Sequence, residues 1–218
     1  MRSSFPEADG RPLPRRFYER ATLRVARDLL GCVLVHRSPE GETAGTIVEV
    51  EGYCGPRDRG AHSFDGRRTA RNEVMYGPPG HAYVYFTYGM HFCLNAVTRP
   101  EGIPQAVLIR ALAPLRGVEL MRERRGLTRS VPDSHLARGP GNVCRAMGID
   151  RGRNGADLTA FPLLIVPGKP VAERRVARTP RIGIDYAADY AAKPWRFLVV
   201  GHPAVSGRRA AGLTGNGR

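Results

Sequence analysis

The sequence predicts one domain of mixed α and β structure, built largely on antiparallel strands. Three observations lead there. The chain has 218 residues, enough for one sizeable core and short for two. Strand-like runs (Cys32 to His36, the run starting at Thr46, Ala82 to Val97, Gln105 to Leu112, Phe161 to Val166 and Lys193 to Val200) are interspersed with helical patterns. Neighbouring strand runs are joined by short turns, which favours antiparallel pairing.

Each element has a local reason. In the helix from Thr22, Val25, Ala26, Leu29 and Leu30 fall on one face and Arg24, Arg27 and Asp28 on the other, with Gly31 as the stop. Cys32 to His36 is a short strand that pairs across the turn SPEGETAG with the strand TIVEVEGY. Alternation there places Ile47, Glu49, Glu51 and Tyr53 on one face and Val48 and Val50 on the other. AHSFDGRRTARN is too polar for a core and reads as a loop. HAYVYFTYGMHFCLNAV reads as a hairpin turning at Tyr88-Gly89, which puts a large aromatic at an exposed tip.

Further along, Arg110 interrupts the apolar run AVLIRAL, so its charge needs a carboxylate partner or an opening onto a cleft. Gly117 to Arg125 predicts a charged helix. The turn Gly139 to Asn142 feeds a helix ending near Gly148; its N-terminus suits a phosphate, and the turn is equally ordinary punctuation. Glu173 to Arg181 reads as a basic connector. The termini, 1–16 and 206–218, are expected to be a loose arm and a loose tail around a domain spanning 17–205.

Charge narrows the partners. Lys and Arg number 34 against 20 Asp and Glu, a net +14, and Lys169 and Lys193 are the only lysines. Guanidinium groups hold phosphate in a fork and stack on bases, so a polyanionic partner is expected. The four cysteines are scattered, the N-terminus lacks an apolar signal region, and no run is long enough to span a bilayer. A reduced, cytoplasmic protein with no membrane association and no obligate protein partner is expected.

Several chemistries lack their parts. There is no G-x-S-x-G elbow, no Walker loop, and no G-x-G-x-x-G after a strand. His62, His81 and His91 are not at metal-ligand spacing, so neither a metal nor a cofactor is expected. What remains is carboxylate chemistry beside aromatics: Glu49, Glu51 and Tyr53, then His62, then Tyr83, Tyr85 and Tyr88. Stacking platforms next to an acid or base suit a flat heterocycle held beside a group that activates water. A non-catalytic basic module that binds structured RNA would explain the charge and the tyrosines, but not Glu51 and Arg110 among them. A nucleoside hydrolase would share the chemistry without needing the aromatic hairpin tip or the charge.

The runs VEVEGY, AHS, YVYFTYGM, FCLN and VLIRAL, followed by LARGPGNVCRAMGID, RTPRIGID and KPWRFLVVG, resemble the alkyladenine (3-methyladenine) DNA glycosylase family in order and spacing. The resemblance covers about Phe17 to Gly201. It implies an α/β (α+β) domain with a curved, mainly antiparallel sheet, peripheral helices and a protruding β-hairpin. The implied activity is monofunctional hydrolysis of the N-glycosidic bond of alkylated or deaminated purines flipped from double-stranded DNA, with no lyase step, in a nucleoid-associated repair enzyme. On this resemblance Glu51 is the general base and Arg110 holds it. Tyr53, His62 and Tyr85 are walls of the base pocket, Asn95 crowds the 2-amino group of guanine, and Tyr88, supported by Met90, fills the gap in the duplex. Gly52 stands where the family has a small alanine.

Overall fold

A computed structural model describes residues 10–207. Its strands are β1 (Val33–Ser38), β2 (Gly41–Tyr53), β3 (Ala82–Thr87), β4 (His91–Thr98), β5 (Gln105–Arg116), β6 (Thr159–Ala160), β7 (Leu163–Val166), β8 (Val176–Thr179) and β9 (Arg196–Val199). The α-helices are α1 (Arg15–Tyr18), α2 (Thr22–Leu29), α3 (Val118–Arg125) and α4 (Pro140–Met147). All strand pairs are antiparallel, in the order β3-β4-β5-β2-β1-β7-β6, with β9 also on β2 and β8 outside β9. The sheet curls into an open half-barrel with few helices, the expected fold class.

β2 is the strand on which the sheet divides. One edge runs along β5 for most of its length; the other pairs with β1 up to Thr46 and with β9 from Glu49 to Glu51. Between these partners the register with β5 slips twice, so that neither Val48 nor Arg110 has an opposite residue. Such bulges bend a strand and re-aim its side chains. Ile47 therefore joins Val48 and Val50 in the main core and does not share a face with Glu49 and Glu51, as strict alternation predicts.

The core lies between the sheet and the helices. Val25, Ala26 and Leu29 of α2 and Val143, Cys144, Ala146 and Met147 of α4 are buried against Ile47, Val50, Leu94, Ile109 and Leu112. Fully burying a leucine or isoleucine contributes roughly 1.5–3 kcal/mol, so this layer supplies the rigidity on which the polar cluster of β2 rests. Gly52 belongs to the same packing. A Cβ there would meet Leu23 Cδ2 at 2.6 Å, so the long side chain of Leu23 takes the space an alanine methyl would need.

Four sequence expectations need correction. The turn between β1 and β2 is shorter than SPEGETAG, since Ser38 already pairs with Gly41. The basic connector contains the edge strand β8, formed because Val176 to Thr179 complete the hydrogen bonding of β9. The end of the expected arm is docked: Leu13 is buried and its N–H donates to the Ile165 carbonyl at 2.8 Å. Ser206, expected in the tail, is buried and bonded to Glu49. The rest of the arm and tail, 1–9 and 208–218, lies outside the described residues. Among the described residues no helix is long and apolar enough to cross a membrane.

Candidate active site

Beyond the bulge, β2 resumes its alternation and sends Glu49 and Glu51 to the side away from Val50. Both carboxyl groups are fully buried, which is tolerable only with several donors each. Glu49 Oε1 accepts from Arg110 Nε at 2.9 Å, Arg196 Nε at 2.7 Å and Ser206 Oγ at 3.0 Å, and Oε2 accepts from the Ser206 N–H at 2.6 Å.

Glu51 is held differently. Its Oε1 accepts the Ile182 N–H at 2.8 Å, and Oε2 accepts the Tyr53 hydroxyl at 3.0 Å and faces Arg110 Nη1 at 3.2 Å. A carboxylate offers about four acceptor directions, so these partners leave one unused. Burial works against the charge on Arg110, yet Glu51 and then Glu49 outweigh it and hold its pKa above the ordinary guanidinium value. Burial, then the charge of Glu51, pushes the Tyr53 phenol well above its usual range, which keeps it a donor.

A cavity of about 220 Å³ opens in front of Glu51. All three partners of Glu51, namely Tyr53, Arg110 and Ile182, line it, together with His62, Tyr85, Tyr88 and Asn95. Drug-sized ligands occupy clefts of about 300–1,000 Å³; this smaller volume suits a single heterocycle. Glu51 itself has no exposed surface and stands directly behind its lining partners. Met90 does not line the cavity; it stands 70% exposed beside the hairpin turn.

The aromatic wall follows from the period of β3, whose Tyr83 and Tyr85 share a face. Their rings lie 5.3 Å apart, and His62 stands edge-on to Tyr85 at 4.6 Å. The Nδ1 of His62 and the Tyr83 hydroxyl are 2.8 Å apart. Burial, with Arg71 and Arg67 adding to it, pushes the His62 pKa down to about 4. A folded-state pKa below the unfolded value means that the unfolded chain takes up the proton first as pH falls. Stability is therefore expected to drop from about pH 6.5 toward pH 4, and urea-unfolding midpoints should fall more steeply with pH in the wild type than in His62→Gln, which cannot titrate.

Asn95 is buried and donates from Nδ2 to the Tyr83 carbonyl at 3.0 Å, which fixes its amide at the cavity wall. β3 and β4 pair from Ala82↔Ala96 to Thr87↔His91, and Tyr88 and Gly89 turn between them with φ of 51° and 66°. Left-handed backbone costs a non-glycine residue roughly 1–2 kcal/mol. Tyr88 thus combines strain with 80% exposure, a combination that marks function more often than stability.

Sequence reasoning missed five residues of the site. Arg181 pairs with Asp58 at 2.6 and 2.7 Å, both side chains fully buried, and its guanidinium lies 4.7 Å over the Tyr53 ring. This clamp fixes Tyr53 and delivers the next residue, Ile182, to Glu51. Arg196 and Ser206 complete the shell of Glu49. Arg196 carried the same signal as Arg110, a charge inside an apolar run, and went unread.

The expected turn from Gly139 to Asn142 is already the start of α4, whose first residue, Pro140, lines the cavity. Residues 16–203 match the family described as methylpurine-DNA glycosylase. The chain belongs to that family. Three relatives bearing provisional 3-methyladenine DNA glycosylase names agree. The relative from Methanocella arvoryzae is 51% identical over 92% of this chain and 98% of its own. The relative from Clostridium acetobutylicum is 47% identical over 89% and 97%, and that from Bacillus cereus 48% over 88% and 98%. As a methylpurine-DNA glycosylase the protein is a DNA-repair hydrolase acting on N-glycosidic bonds, and the charge excess suits its DNA substrate.

Proposed function

We propose that this glycosylase rotates an alkylated or deaminated purine out of duplex DNA into the 220 Å³ cavity and hydrolyses its glycosidic bond without a covalent intermediate. The observation that carries the reading is Glu51, a buried carboxylate whose three partners all line that cavity. Glu51 accepts the proton of the attacking water and stabilises the oxocarbenium-like sugar. Arg110 and the Ile182 N–H fix its position. One carboxylate suffices because a purine alkylated at N3 or N7 already carries positive charge and leaves readily.

Tyr53, His62 and Tyr85 form the walls against which that cation packs, each cation–π contact contributing ~0.5–2 kcal/mol. The low pKa of His62 supports this role, since a neutral imidazole does not repel a cationic base. The protein acts in the cytoplasm on nucleoid DNA, as a monofunctional enzyme without lyase activity. The direct test is release of free base from duplexes each carrying one defined lesion; no release from any of them overturns the reading.

Tyr88, supported by Met90, enters the duplex where the nucleotide has left. Extruding a base costs a few kcal/mol, and the wedge offsets part of it. Tyr88→Ala is therefore expected to weaken binding to lesion duplex about ten-fold or more while the ranking of excised bases stays the same. Equal lesion affinity in a gel-shift titration would exclude a wedge.

In this reading Asn95, on the cavity wall, crowds the 2-amino group of an inserted guanine. Asn95→Ser removes bulk and the bond to the Tyr83 carbonyl. Slow release of guanine from undamaged duplex is expected to rise by about 10-fold, the scale of a small steric change in a pocket. An unaltered base profile by chromatography would count against Asn95 as the discriminating group.

A further inference from the structure

A second hollow, of about 570 Å³, adjoins the base cavity and shares two of its walls, His62 and Tyr186. Arg59, Arg67 and Arg71 line it together with Phe64. None of the three guanidinium groups pairs with a carboxylate among the described residues, whereas Arg68, in the same loop, is bridged to Glu73. Arg71 lies 5.2 Å over the Tyr85 ring and donates to the Phe86 carbonyl, and Arg59 lies 5.9 Å over Phe64. Phe64 and Tyr186 are 38% and 73% exposed, large aromatic surfaces that the core does not use.

The two compartments differ in the charge they favour. The base cavity is lined by tyrosine faces, and its guanidinium, Arg110, is matched by Glu49 and Glu51, so a cation meets no uncompensated positive charge from that wall. The second hollow carries three uncompensated positive charges and repels one. The reaction changes the charge of the base. When the C1′–N bond of a methylated purine breaks, its electron pair stays on the purine, and the positive charge passes to the sugar. Water bonds to C1′, its proton goes to Glu51, and the freed methylpurine is neutral. A neutral purine has ring nitrogens that accept from guanidinium and flat faces that stack on guanidinium and aromatic planes.

We propose that this arginine-lined hollow is a holding site for the excised base, entered past His62 and Tyr186. An attached methylated purine, being cationic, is kept out by charge and the released neutral base is admitted. The inference rests on the catalytic reading given above, because it needs a base that is cationic before cleavage and neutral after it.

Full-length Glu51→Gln protein saturated with a duplex carrying one ethenoadenine keeps the base cavity filled. Equilibrium dialysis of that complex against labelled 3-methyladenine is expected to retain one equivalent of free base. Phe64→Ala or Arg67→Ala in the same background should abolish the retention; both side chains are exposed, so the fold is kept. The permanent cation 3,9-dimethyladeninium should bind at least about ten-fold more weakly than the neutral base, as like charges in a partly closed site require. No retained base, retention indifferent to Phe64 and Arg67, or equal binding of the cation overturns the holding site. DNA recovered from the dialysis separates the two readings. Loss of ethenoadenine from it would sink the role of Glu51, while intact DNA with no retained base sinks the holding site alone.

Discussion

Glu51→Gln is expected to slow single-turnover base excision by about 10²–10⁴-fold, the contribution usual for a positioned general base, while lesion duplex still binds within a few-fold. The amide is isosteric and its oxygen can still accept the Ile182 N–H that now bonds Glu51 Oε1. On the other side its NH₂ meets Arg110, donor against donor, while the Tyr53 hydroxyl can turn to accept from it, and the amide cannot take a proton from water. Arg110 remains anchored by Glu49 at 2.9 Å, so the cavity wall stays in place. At 1.36 kcal/mol per ten-fold, the loss corresponds to roughly 2.7–5.4 kcal/mol of transition-state stabilisation. Excision within a few-fold of wild type, from a variant that binds and unfolds normally, would remove Glu51 from the mechanism.

Much of this site was legible in the chain because its parts break local rules. Arg110 is a charge inside the apolar run AVLIRAL and Tyr88 is an aromatic at a turn, and both line the cavity. What could not be read came from the bulge in β2. Period-two reasoning assumes an unbroken register, and the slip around Val48 sends Ile47 to the core while preserving the shared side of Glu49 and Glu51. Contacts between residues far apart in sequence were equally hidden. Nothing near Asp58 announces Arg181, and nothing near Ser206 announces Glu49, since each pair needs a loop whose path depends on the whole sheet. The reading of 173–181 as a connector failed for a related reason. An edge strand has a partner on one side only and carries polar, charged residues, so its sequence resembles surface loop.

The surroundings of Glu49 give it a role in stability. Glu49→Ala is expected to cost about 3–5 kcal/mol, the usual result of removing one partner from a buried ion pair, out of the ~5–15 kcal/mol that holds a domain together. The mutation strips Arg196, 2% exposed, of its carboxylate and leaves it the Ser206 carbonyl and the Thr179 hydroxyl. It also frees the Ser206 N–H and one side of Arg110. The loss should appear as a lower urea midpoint with unchanged slope. Because the expense arises from an uncompensated charge, removing that charge should recover part of it. Glu49→Leu combined with Arg196→Met is expected to be less destabilised than the sum of the single variants. Additive losses, or a Glu49→Ala variant within about 1 kcal/mol of wild type, would show that the paired arginines do not depend on this carboxylate. A destabilised Glu49 variant that still excises bases when fully folded would assign Glu49 to the scaffold and leave the chemistry to Glu51. The arrangement on β2 favours that division: Arg110 serves both carboxylates, but the other donors to Glu49, Arg196 and Ser206, do not line the cavity, whereas every donor to Glu51 does.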